Sequence, residues 1–141
     1  MKTETQGVLE KPRWMVVDDN VGILQMLSTL LAAISGARIC CFESGEQALA
    51  AYLADPELYQ LVITDLEMPG MNGVELCDHL HVRAPHLKVV LATGNHAAVD
   101  SRTAQEFGFS GLLYKPFTFD GLEHLLEHIG VLESRHNEMT A

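Results

Sequence analysis

Long hydrophobic runs are missing. No apolar stretch in the 141 residues approaches the ~20 needed to cross a bilayer. The opening MKTETQGVLEKPR lacks the apolar core of a signal peptide. A cytoplasmic protein without a membrane partner is therefore expected. Cysteine is scarce: Cys40 and Cys41 are adjacent and Cys77 is distant, so no CxxC motif exists. They read as buried small hydrophobes in a reducing compartment. Clustered positive charge is also absent. Nine Lys and Arg lie scattered between Lys2 and Arg135, and the net charge is −10. Phosphate backbones would be repelled, which argues against direct nucleic-acid binding. No internal repeat or low-complexity stretch is present.

What is present is an ordinary globular mixture, 48% hydrophobic and 20% charged, which excludes a disordered chain. The length suits one domain, and a fold of about 150 residues buries roughly 68–70% of its unfolded surface without staples. Five short apolar runs alternate with helical patterns. The runs are Trp14–Val17, Ala37–Phe42, Leu61–Thr64, Leu87–Thr93 and Gly111–Tyr114. The first helix carries Ile23, Met26, Leu27, Leu30, Leu31 and Ile34, with Asp19 or Asn20 as cap and Gly36 as stop. Ser44 and Gln47 predict a capping box ahead of Ala48, Leu49 and Leu53. Asn72-Gly73 opens a third helix, with Val74, Cys77 and Leu80 on one face and Pro85 beyond its end. A weaker fourth helix is expected over Ala97–Phe107, closed by Gly108. The fifth carries Leu122, Leu125, Leu126 and Ile129 between Thr118 and Gly130. Residues 1–12 and 132–141 show no pattern and are expected to be flexible around a domain at 13–131.

Strands that are apolar throughout imply a parallel sheet covered on both faces. Right-handed crossovers leave few topologies. The expected class is α/β, a doubly wound five-stranded parallel sheet of order 2-1-3-4-5. Ligands in such sheets bind beyond the carboxyl ends of the strands, at the switch point between strands 1 and 3. There the strands end in Asp18 and Asp19, in Asp65, in Thr93, and in Lys115 followed by Pro116. Each alone is unremarkable, because strands end in polar residues and Asp caps helices. Together they supply the parts of one reaction. Carboxylates roughly 4 Å apart repel by about 4 kcal/mol per pair at an effective dielectric of about 20. Either one protonates or a cation binds. Oxygen donors without His or thiolate suit a hard ion such as Mg²⁺. With the charge of Lys115 and the hydroxyl of Thr93, the set suits making and breaking an aspartyl phosphate on Asp65.

The ordered segments VVDDN, VITDLEMPGMNG, LAT and YKPF resemble the receiver domain of bacterial response regulators, over about residues 13–131. The resemblance implies a flavodoxin-like (β/α)5 fold. It implies that Asp65 accepts phosphate from a sensor histidine kinase or a histidine phosphotransfer protein. It implies that Asp18, Asp19, Asp65 and the backbone carbonyl of Glu67 hold Mg²⁺. Thr93 and Lys115 would bind the phosphoryl group and report it, and the Lys115–Pro116 bond would be cis. The signal would leave through helix 4, strand 5 and helix 5 to a downstream protein target or a second copy in a homodimer. Such a protein is no enzyme beyond its own phosphorylation and dephosphorylation.

One position departs from the family. Three residues before the lysine, where an aromatic switch residue is usual, stands Leu112. Tyr114, on the same side of the strand, is either its substitute or a core or interface tyrosine. Glu67 and Asn95 each lie two residues beyond a site residue and are expected to set the lifetime of the phosphate. Only VLESRHNEMTA follows Gly130, so a stand-alone receiver is expected. A phosphohydrolase of the haloacid dehalogenase type shares the chemistry, but its nucleophile ends the first strand and a second Asp follows. A flavin-binding relative needs a Ser/Thr/Gly-rich loop where Asp18 and Asp19 stand. A receiver that only binds partners would lack the nucleophile or a metal ligand. His124 and His128, four apart on the last helix, have no third ligand in view and read as a solvated face.

Overall fold

A computed structural model of the chain describes residues 11–133. The expectations for residues 1–10 and 134–141 lie outside the described residues. The strands are β1 (Arg13–Val17), β2 (Arg38–Phe42), β3 (Tyr59–Asp65), β4 (Lys88–Thr93) and β5 (Gly111–Tyr114). The helices are α1 (Val21–Ile34), α2 (Gly45–Ala54), α3 (Gly73–Arg83), α4 (Ser101–Glu106) and α5 (Phe119–His128), with a 3₁₀ turn at Pro56–Leu58. All four strand pairings are parallel, and the order is β2-β1-β3-β4-β5. The doubly wound α/β class read from the sequence is the observed one.

Alternation along the strands sends side chains to two cores. Met15 and Val17 of β1 face α2, α3 and α4 with Tyr52, Leu76, Leu80 and Ala104. Trp14 and Val16 face α1 and α5 with Leu27, Leu31, Leu122 and Leu126. Central β3 is sealed from water at Leu61, Val62, Ile63 and Thr64, which explains its unbroken apolar run. Among the described residues no helix is long and apolar enough to cross a membrane.

Several local expectations are corrected. Helix α4 begins at Ser101, not Ala97, because the Asp100 carboxylate accepts the Thr103 amide at 2.8 Å and caps the helix there. The preceding residues form a turn, with the Ala98 amide donating to Asn95 O. The Ser44 cap is real, but Gln47 reaches the Glu43 amide rather than that of Ser44, so the box does not close. A complete box stands instead at Asn72 and Glu75. Helix α1 ends at Ile34 with Ser35 as its cap, and Gly36 stands just past it as the expected stop. Leu53, assigned to an apolar helical face, is exposed. Cys77 is buried as read, Cys40 is half-buried, and Cys41 is exposed on edge strand β2. Burial pushes the Cys77 thiol up to about 12. The glycines at 108 and 130 close α4 and α5 with φ of 99° and 87°, the left-handed region open to glycine.

Candidate functional site

The carboxyl ends of β1, β3, β4 and β5 share one edge of the sheet, and their registers set which residues meet. Asp65 pairs with Ala92, and Thr93 pairs with Tyr114. Asp18 and Asp19 follow the last residue of β1, whose Val17 pairs with Thr64. Lys115 follows β5, tied to Thr93 O through its backbone amide at 2.9 Å.

Lys115 bridges the edge. Its Nζ donates to Asp18 Oδ2 at 2.8 Å and lies 3.2 Å from Asp65 Oδ1. The second oxygen of Asp18 accepts the Asn20 amide at 2.9 Å, while Asn20 caps α1 through Ile23 N. Asp18 is buried, Asp65 is half-buried and Asp19 is exposed. Burial pushes the Asp65 carboxyl above its ordinary range, and the charge of Asp18 adds to this. The Lys115 ammonium and the Leu66 amide oppose it without cancelling it. Burial alone would lower Lys115, but the Asp18 hydrogen bond and the two carboxylate charges outweigh it and hold the ammonium above its usual pKa.

Asp18, Asp19 and Asp65 each offer an oxygen, and the three atoms lie within 4.8 Å of one another. Three carboxylates against one ammonium leave an excess of two negative charges. An all-oxygen donor set with that excess fits a hard divalent cation.

Thr93 is buried, and its Oγ1 accepts the Asn95 amide at 3.1 Å. Asn95 and Glu67 are exposed on the loops that follow β4 and β3. The peptide bond between Lys115 and Pro116 is cis. Leu112 packs against the core beneath α4. Tyr114 takes a different path: its hydroxyl donates to Val99 O at 2.7 Å, and its ring stacks on His96 with centroids 4.0 Å apart. His124 and His128 are both exposed on α5, consistent with the solvated face assigned to them.

Three residues at this edge escaped the sequence reading. His96 stands just before the stretch expected to be helical, and its ring covers that of Tyr114. Gly73 opens a helix in the sequence pattern. Its amide donates to Leu66 O at 2.9 Å, and a Cβ at this position would run into the carbonyl oxygen of Asp65. The Leu66 amide in turn donates to Asp65 Oδ1 at 2.9 Å, so α3 is docked directly against the peptide that carries the central carboxylate. Glu46 reads as a dipole-favoured acid in a first helical turn. Its Oε2 instead accepts the Met71 amide, 25 residues on, at 3.0 Å.

Known proteins resemble this chain in sequence and fold. The family model for the response regulator receiver domain matches residues 14–127. The transcriptional regulatory protein TctD of Salmonella typhimurium is 31% identical over 111 residues, 79% of this chain and 48% of that protein. A probable chemotaxis protein CheY of Rhizobium etli is 28% identical over 128 residues, covering 87% of this chain and 95% of that one. The structure of response regulator TrrA from Thermotoga maritima, in complex with Mg²⁺ and beryllofluoride, superposes with a TM-score of 0.72. That alignment has 29% identity and covers 84% of this chain and 98% of that chain. The chain spans less than half the length of the first curated relatives it matches. Nothing in these matches supports a phosphohydrolase, whose nucleophile would stand on β1 rather than β3. With carboxylates, hydroxyl and lysine on the same four strand ends, and a family match over most of its length, the chain belongs to the response regulator receiver domains.

Proposed function

We propose that this chain is the phosphoacceptor of a two-component system, taking a phosphoryl group on Asp65 from a sensor histidine kinase or a histidine phosphotransfer protein. The observation that carries the reading is the position of Asp65. It ends the central strand, half-buried, within 3.2 Å of Lys115 Nζ and in one oxygen cluster with Asp18 and Asp19. An Asp65 carboxylate oxygen attacks phosphorus and forms the P–O bond as the P–N bond of phosphohistidine breaks. The released imidazole takes its proton from solvent. Mg²⁺, held by Asp18, Asp19, Asp65 and the Glu67 carbonyl, would supply charge neutralisation between the carboxylate and the incoming phosphate. Lys115 adds a second positive charge, and the Thr93 hydroxyl donates a hydrogen bond to the transferred group. The TrrA complex, at 29% identity, supports this metal and phosphoryl-mimic pairing by likeness.

Acetyl phosphate or phosphoramidate with Mg²⁺ tests the reading. One phosphoryl group per chain is expected by intact mass, located on Asp65 by peptide mapping and absent in EDTA. A label elsewhere, or none at any Mg²⁺ concentration, overturns it. The decay of the same phosphoprotein reads Glu67 and Asn95, which flank the path by which water reaches Asp65. Glu67→Ala and Asn95→Ala are expected to change the decay rate without preventing labelling; two unchanged curves would remove them as lifetime residues.

The output face is formed by α4, β5 and α5, and serves a downstream protein or a second copy. Thr93 moving toward the phosphoryl group draws on the loop that His96 and Val99 fasten to Tyr114. Leu112 has no hydroxyl or flat ring to exchange positions, so Tyr114 carries the coupling. A switch needs a free-energy difference between two states, and loss of the Tyr114–Val99 hydrogen bond provides one. Beryllofluoride is expected to shift amide NMR signals across residues 96–107, and Tyr114→Phe to reduce that response. An undiminished response in Tyr114→Phe and in Leu112→Ala would show that neither residue transmits the signal.

A further inference from the structure

The loop between β3 and α3 carries Glu67 and Met68 past the site, and α2 comes up beside it from β2. Three contacts join the two. Glu46 Oε2 accepts the Met71 amide at 3.0 Å. Gly70 holds φ at 77°, and a Cβ there would stand 2.6 Å from the same Glu46 oxygen. A Cβ on Gly45 would meet Met71 at 3.1 Å, so both backbones approach as closely as glycine permits. An acid in a first helical turn ordinarily serves its own helix N-terminus. Glu46 spends its oxygen on another segment.

We propose that Glu46 is a positioning residue for the acceptor site, fixing the Gly70–Met71 end of the loop so that the Glu67 carbonyl and Asp65 hold one geometry toward the divalent cation. The loop is pinned at one end by the Leu66 contacts with Asp65 and Gly73. Without a second anchor, Glu67 to Gly70 would hang between Leu66 and α3 with only buried Met68 to hold them. A carboxylate accepting a backbone amide is a charge-assisted bond, roughly twice as strong as a neutral one. Glu46 touches neither substrate nor metal and acts through the loop alone.

This inference rests on the phosphoacceptor reading, but its test has a readout independent of it. The Mg²⁺ concentration giving half of the maximal thermal stabilisation is measured in the full chain, alongside the half-saturating Mg²⁺ for labelling by acetyl phosphate. Glu46→Ala is expected to raise both by about tenfold, at the lower end of what residues supporting metal ligands cost when lost. Glu46→Gln keeps an acceptor oxygen for the Met71 amide and is expected to restore most of the affinity. Gln60→Ala, which breaks the 2.7 Å bond to Trp14 at the far end of the sheet, serves as the control for lost stability alone and should leave the Mg²⁺ midpoint unchanged. Equal midpoints in wild type and Glu46→Ala would overturn the inference. So would Glu46→Gln behaving as Glu46→Ala, which assigns the effect to charge. Should the protein take no label while the Mg²⁺ midpoints shift as described, the phosphoacceptor reading fails and the positioning role of Glu46 stands.

Discussion

Lys115→Met is expected to lower the stability of the metal-free protein by about 3–5 kcal/mol, the usual cost of removing one partner from a buried ion pair. The residue is poorly exposed, with 19% of its side chain accessible, and its Asp18 partner has 4%. Methionine fills much of the same space, so the loss reports charge rather than volume. Asp18 and Asp65 would be left facing one another with no cation between them. Added Mg²⁺ should return more stability to the variant than to wild type, since it then has no ammonium to displace. Binding contributes RT ln(1 + [L]/Kd), about 2.7 kcal/mol at a hundredfold excess.

The pH dependence follows from the directions of the shifts. Lys115 is raised above 10.5, so its contribution is whole below that value and is lost as pH climbs through the folded pKa. Asp65 is raised above 3.8, so the folded state holds its proton longer. The destabilisation from its ionisation is absent below 3.8 and appears as pH rises through the folded value. Removing Lys115 raises Asp65 further, so the gap between variant and wild type should be narrow in acid, wide near neutrality and narrow again in strong alkali. Urea melts in EDTA and in Mg²⁺ across that range provide the check. Equal stabilities in EDTA, or a Mg²⁺ response no larger than that of wild type, would show that Lys115 is not the resident counter-charge.

Gly73→Ala is expected to destabilise the protein by about 2–3 kcal/mol and lower Tm by roughly 5–10 °C, the upper range for overpacking because the atoms in the way are backbone. The added methyl would displace the carbonyl of Asp65 and shift the following Leu66 Cα, 3.2 Å from its position. Two consequences come together: α3 loses its seat, and the central carboxylate moves. Gly36→Ala is the contrasting change. No atom lies within 4 Å of a Cβ there and φ is ordinary, so it should be neutral or stabilise by about 0.4–1 kcal/mol through the unfolded chain. Thermal melts of both, with Mg²⁺-dependent labelling, distinguish them. A Gly73→Ala protein as stable as wild type and labelled at the same rate would show that the approach of α3 to Asp65 is not constrained.

The sequence by itself determined the architecture and which polar residues stand at the carboxyl edge of the sheet. Five apolar runs too continuous for a half-wet sheet, separated by helical patterns, left a parallel sheet covered on both faces as the only economical arrangement. Its strand ends then had to bring Asp18, Asp19, Asp65, Thr93 and Lys115 to one edge. These features are short unbroken apolar runs, a period of 3.6, or polar residues at strand termini, and such signals are local. What only the tertiary structure decided involves contacts between segments that no local period records. Gly73 looks the same as Gly36 in sequence, yet one backbone passes against Asp65 and the other faces open space. Glu46 and Gln47 are neighbours in one helical turn, yet Glu46 meets the Met71 amide and Gln47 turns back to that of Glu43. The expected start of the fourth helix is Ala97. The cap offered by Asp100, with Val99 buried beside it, begins the helix at Ser101 instead, and His96 stacks on Tyr114. For Glu46 on Met71 and His96 on Tyr114 the partner lies far along the chain, and its identity exists only once the strands have been set side by side.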